Sequence, residues 1–165
     1  MECYLDVPVL CELIKVVSSN GTDVKAVHTM TSAIISYYLP VDEGYIISTE
    51  QNQPTDDPNS IILTVQRFLP DNQGLQDHMI IEMRPNLGNG LPSLDRLLNA
   101  LAMANTERGN CWAILVIGPM MVIFEYRSGM VSPWKPAGCE DKDHHDLRSD
   151  IMTIDWFFKR TAQRG

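Results

Sequence analysis

The sequence predicts a mixed α/β fold, a central mixed sheet flanked by helices. Three observations lead there. Apolar residues recur at helical spacing near both ends of the chain and once in the middle. Between those stretches lie short apolar or alternating runs bounded by Gly, Pro, Asn and Asp, the pattern of strands and turns. The resulting order, α-α-β-β-β-α-β-β-α, separates a three-strand meander from two later strands by a helix, which suits a layered sheet-and-helix domain.

The first helix is expected over Val9 to Ser18, ended by Ser19-Asn20-Gly21. A second follows, with Thr22 as a candidate cap and Asp23 in its first turn. Val24, Val27, Met30 and Ile34 mark its apolar face, and Pro40 ends it. Tyr45 to Thr49 reads as a short strand. Gln51 to Asn59 (QNQPTDDPN) reads as a loop. Ile61 to Phe68 alternates like a strand, and Pro70-Asp71-Asn72-Gln73-Gly74 suits a hairpin connection. Met79 to Met83 is nearly all apolar, as a central strand covered on both faces would be. After the loop Pro85 to Pro92, Ser93 can cap a helix whose Leu94, Leu97, Leu98 and Leu101 fall at i, i+3, i+4 and i+7. On that spacing Leu97, Leu98 and Leu101 are expected to be buried. Strands over 111–117 and 121–127 flank Gly118-Pro119. A polar loop, Ser128 to Asp146, leads to a last helix over Leu147 to Thr161. The chain is expected to form a single domain over 1–165, with a core of about 45–127, helices over 9–39 before it and the helix 147–161 after it.

The chain has 165 residues, enough for one core of ordinary size. With 44% apolar residues it is not a disordered chain. Its 21 acidic residues against 13 basic ones give a formal charge of −8. That argues against broad nucleic-acid binding, which needs excess Lys and Arg. It does not exclude a nuclease, whose metal site needs carboxylates. No apolar run approaches the roughly 20 residues of a membrane span, so no membrane partner is expected. Glu2, Asp6 and Glu12 do not suit a secretory signal, and Cys3, Cys11, Cys111 and Cys139 show no CxxC spacing. A reducing compartment, cytosol or nucleus, is the expected location.

The most informative run is Ile80-Ile81-Glu82-Met83-Arg84-Pro85. Alternation puts Glu82 and Arg84 on the same face of one strand. Chemically, this pairs a metal-ligand type with a cation able to steady a phosphate or an attacking water. The plainer alternative is that the strand leaves the core here and its polar end is solvated. Weaker candidates are the run Asp141 to Asp146 (DKDHHD) beside Cys139, His28 in the second helix, and His78, four residues before Glu82 and on the same side by alternation. No Gly-rich phosphate loop, nucleophile elbow or HExxH is present.

Ser60 to Tyr126 resembles the core of the PD-(D/E)XK nuclease superfamily, the restriction-endonuclease-like fold. In that family a helix precedes a three-strand meander, the second strand opens with Pro-Asp, the third ends with Glu-x-Lys, and a helix and a further strand follow. Pro58-Asn59 stands where Pro-Asp belongs, and Glu82-Met83-Arg84 where Glu-x-Lys belongs. The run 113–126 is similar to the hairpin closing this core in small fungal members, and 150–154 resembles the helix that ends those chains.

The resemblance implies a site in which an Asp and a Glu hold Mg²⁺ or Mn²⁺ against a scissile phosphate and a Lys orients the water. Glu82 and Asp57 would be the metal ligands, with Glu82, Arg84, Asp57 and Asn59 as the catalytic set. The sequence departs from the family at two of these positions. Asn59 is a neutral and poorer ligand for a hard dication, and an arginine is a permanently charged planar fork rather than a point charge. Asp56 and Asp57 lie just upstream, and Glu12 and Glu50 offer further carboxylates. The leading expectation is therefore a degenerate domain that binds a protein partner or serves as a subunit of a larger assembly. A Mg²⁺-dependent nuclease acting on nucleic acid is the second, and a small-molecule enzyme reusing the cleft the third.

Overall fold

The computed structural model describes residues 2–50, 59–71, 73–88 and 92–163. Two helices open the chain. The first, α1 (Pro8–Ser19), starts with Pro at a position where no amide donor is needed. The second, α2 (Val24–Tyr38), is capped by Asp23, whose carboxylate accepts from the Lys25 amide at 2.9 Å. The Thr22 hydroxyl donates instead to Asn20. Three strands follow as an antiparallel meander: β1 (Tyr45–Thr49), β2 (Ile61–Leu69) and β3 (Gly74–Arg84). Helix α3 (Asp95–Ala102) then carries the chain to β4 (Asn110–Ile117), which pairs parallel with β3. Gly118-Pro119 turns β4 back into the antiparallel β5 (Met120–Arg127).

The chain between β5 and the last helix is not all loop. It contributes β6 (Met130–Pro133) and β7 (His145–Asp146), which pair with β5 along its outer edge. The first is enabled by Ser128-Gly129, both at positive φ, a tight hairpin turn that polar composition alone does not distinguish from a loop. The closing helix, α4 (Ile151–Gln163), begins four residues later than the periodicity suggests. Leu147 is buried, but it sits in the turn before α4, where its carbonyl accepts the Tyr4 hydroxyl at 2.6 Å. Asp146 makes that turn, its carboxylate accepting from the Arg148 and Ser149 amides.

The sheet runs β1-β2-β3-β4-β5-β6, with β7 also on β5. Side-chain alternation divides it into two cores. Leu63, Val65, Met79, Ile81, Met83, Ile114, Val116, Met121 and Ile123 pack under α1, α2 and α4. Ile62, Ile80, Ala113, Leu115, Ile117, Val122 and Phe124 pack under α3. The near-continuous apolar reading of β3 follows from this double cover. Helix α3 is too short to bury every leucine: Leu97 and Leu101 are buried, but Leu98 is 40% exposed. Its position at i+4 from Leu94 lies on the edge of the stripe rather than against the sheet. No described helix is long and apolar enough to cross a membrane.

Candidate functional site

The antiparallel register builds the site. Ile61 pairs with Met83 and Ile62 with Glu82, so the residue before β2 lies beside the end of β3. That residue is Ser60, and it is buried. Its hydroxyl donates to Glu82 Oε1 at 2.8 Å. Arg84 lies on the same face, two residues on, and its Nε donates to the same oxygen at 2.7 Å. From α3, Arg96 Nη1 donates to the Ser60 carbonyl at 2.6 Å. The Ser60 backbone is thereby fixed and its hydroxyl aimed at Glu82.

The alternation argument thus holds, but the solvated-end reading of Glu82 does not. The Glu82 side chain is 0% exposed, and that of Arg84 is 18% exposed. Glu82 points into the α3 face among Ile62, Ile80 and Leu115, its neighbours by register and alternation. A carboxylate there is held by charge-assisted hydrogen bonds. Its second oxygen, Oε2, is buried with no hydrogen-bond partner.

The other residues singled out from the sequence are distributed as follows. Asn59 is exposed in the turn before Ser60, at the Glu82–Arg84 end of the sheet. Asp56 and Asp57 lie outside the described residues. The Glu50 amide donates to the Ile62 carbonyl, so Glu50 continues β1 by one residue alongside Ile62, and it is exposed. Glu12 is on the surface of α1, paired with Lys15 at 2.7 Å. His28 Nε2 lies 3.3 Å from the Thr49 hydroxyl. In the DKDHHD run, Lys142 pairs with Asp150 and Asp143 with Lys135, while His145 is buried against the Trp134 ring. Burial lowers the His145 pKa.

His78 departs from simple alternation. Val65 pairs with Met79 and Gln66 with Asp77, so His78 is the extra residue of a β-bulge. The bulge turns it away from the Glu82 face, and its ring lies 5.4 Å from that of Tyr45, which belongs to the opposite core.

Ser60 and Arg96 were missed by the sequence reading. Ser60 was detectable in principle, since it follows Asn59 directly and the hairpin register places it against Arg84. Arg96 carried no signal, because an arginine in the first turn of a helix has many uses. Among the described residues, no group of three or more His, Cys, Asp or Glu is placed to hold a metal ion. Compared with family models, curated proteins and solved structures, the chain matches none.

Proposed function

We propose that this chain is a degenerate PD-(D/E)XK-like domain that works by binding, as an intracellular binding or assembly module, rather than by hydrolysing phosphodiesters. One observation carries the reading. The carboxylate that the resemblance assigns to a dication is instead held by a guanidinium from its own strand and a hydroxyl from the residue before β2, both on Oε1. The order helix, meander, helix and parallel strand (α2, β1 to β3, α3, β4) supports the likeness in fold.

The described residues do not fit Mg²⁺. That ion keeps several waters and needs near-octahedral space, whereas Glu82 is fully buried. A guanidinium 2.7 Å from Oε1 also repels a dication competing for the same carboxylate. Asn59, which stands at the position of the family's Asp, is neutral, and Asp57 lies outside the described residues.

Calorimetric titration with Mn²⁺ tests this. The native protein should show no saturable binding below the millimolar range and should leave single- and double-stranded DNA and RNA uncut. Asn59→Asp with Arg84→Lys should create Mn²⁺ binding. Micromolar binding by the native protein that Glu82→Ala abolishes, or nucleic-acid cleavage stopped by Asp57→Ala, would establish the nuclease reading instead.

A further inference from the structure

Strand β1 is the first edge of the sheet and pairs on one side only, with β2. Two backbone bonds fix which of its groups are used. The Phe68 amide donates to the Gly44 carbonyl at 2.9 Å, and the Glu50 amide to the Ile62 carbonyl at 3.1 Å. Antiparallel ladders bond at alternate residues, so Ile46 and Ser48 also turn their amides and carbonyls towards β2. Those of Tyr45, Ile47 and Thr49 point the other way, to the free edge. Among the described residues no backbone group outside the sheet pairs with them.

Natural edges are commonly blunted by a Lys, a Pro or a bulge. This strand, YIIST, has no charge and no Pro, and its register with β2 is unbroken. An apolar surface adjoins it. Tyr45 and Ile47 pack on the core under α1, α2 and α4, so Ile46 faces the α3 side, where it is 42% exposed. Its diagonal neighbour Phe68 is 60% exposed, and Leu75, opposite Phe68, is exposed too. Helix α3 leaves these three open.

Charge decides what can pair there. From residue 40 to residue 60 the chain carries five Asp or Glu and no Lys, Arg or His. Three of them, Asp42, Glu43 and Glu50, are exposed at the two ends of β1 and make no ion pair among the described residues. Neighbouring elements bring two cations that no carboxylate claims in a listed pair of their own side chains: Arg67, over the Tyr45 ring, and Lys25, one turn before the His28 that meets Thr49. Lys159, which shares a groove with Glu43, is paired with Asp155. Three carboxylates against two cations leave the edge negative. A second copy of this chain is therefore a poor occupant. Antiparallel pairing of two copies about Ile47 would set Glu50 of each opposite Gly44 of the other, beside Glu43, and like charges across strands destabilise.

We propose that the free edge of β1 takes up an extended segment of a basic protein partner as an added strand. The backbone groups of Tyr45, Ile47 and Thr49 supply the hydrogen bonds. An apolar side chain of the segment lies beside Ile46, and Lys or Arg at both its ends meets Asp42 and Glu43 at one end of β1 and Glu50 at the other. This is strand addition to an open sheet edge. It names the binding surface of the module proposed above and rests on that reading only in taking the partner to be a protein. Its test varies none of Ser60, Glu82 and Arg84, so it and the Mn²⁺ titration fail separately.

Amide exchange and NMR titration of the full chain decide it. In the free protein the amides of Tyr45, Ile47 and Thr49 should exchange faster than those of Ile46, Ser48 and Glu50. Equal protection of all six in a monomer would show the edge already covered and overturn the proposal. The probe is a capped peptide of alternating valine and threonine with two lysines at each end. It should bind saturably below about 1 mM, shift the β1 amides most and slow exchange at Tyr45, Ile47 and Thr49. The same peptide with glutamates at its ends should bind at least tenfold more weakly. Glu43→Lys with Glu50→Lys, both on the surface, should reverse that preference. No binding of the lysine-ended peptide at 1 mM, equal binding of its N-methylated form, or shifts centred away from β1 would overturn the strand. Equal binding of the glutamate-ended peptide would overturn the basic partner. A dimer in sedimentation, with Tyr45, Ile47 and Thr49 protected as concentration rises, would give the edge to a second copy instead.

Discussion

Arg84→Met isolates the contact on which the functional reading depends. The Glu82 side chain is fully buried, and its Oε1 rests on Arg84 Nε at 2.7 Å and Ser60 Oγ at 2.8 Å. At an effective dielectric near 20, two unit charges that close attract by about 6 kcal/mol, before the larger opposing term of desolvation. Removing the cation leaves the desolvation in place without the attraction. Breaking a buried pair from one side typically costs about 3–5 kcal/mol. That is a large part of the roughly 5–15 kcal/mol holding a domain together. Removing both charges, Glu82→Met with Arg84→Met, should restore most of the loss and leave the protein within about 1 kcal/mol of native, because similar apolar volume replaces the pair. Urea melts of the native protein, both single variants and the double variant give the coupling directly. Manganese at millimolar concentration should not restabilise Arg84→Met if the site has no second metal ligand. An Arg84→Met loss under about 1 kcal/mol, or its rescue by micromolar Mn²⁺, would refute the idea that the arginine has taken the metal's place.

Two other perturbations follow from particular side chains. Leu97→Ala should destabilise by roughly 2–5 kcal/mol, as for other buried leucines. Leu98→Ala, at a position 40% exposed, should cost no more than about 1 kcal/mol, and equal losses in urea melts would mean that α3 is rotated from the orientation described. His78 gives the pH dependence. Burial, with Arg67 adding to it, lowers its pKa to about 4. The unfolded chain takes up this proton near pH 6.5, so the neutral-imidazole contribution is complete above pH 6.5 and is lost as pH falls towards 4. The loss amounts to something on the order of 3 kcal/mol. His78→Gln should flatten the stability curve between pH 6.5 and 4 relative to native, and identical curves would count against a buried neutral imidazole.

Much of this fold was readable from local signals. The apolar spacing of α2, the alternation of β2 and the continuous apolar run of β3 each record what covers that element, because burial on one face or two writes directly into the residue pattern. The same alternation placed Glu82 and Arg84 on one side of β3. Three things needed the tertiary structure. Whether Glu82 is solvated or buried depends on α3 lying over it, and nothing local to β3 says so. Ser60 and Arg96 join the site through strand register and helix docking, which bring together residues 22 and 36 positions apart in the chain. His78 changes faces through a single bulge, and one extra residue in a ladder inverts every side-chain assignment beyond it. The sequence by itself determined which residues are apolar enough to form two faces. Only the packed structure decided that the acid at the end of β3 meets a guanidinium, and that a polar pocket opens at the other end of the sheet.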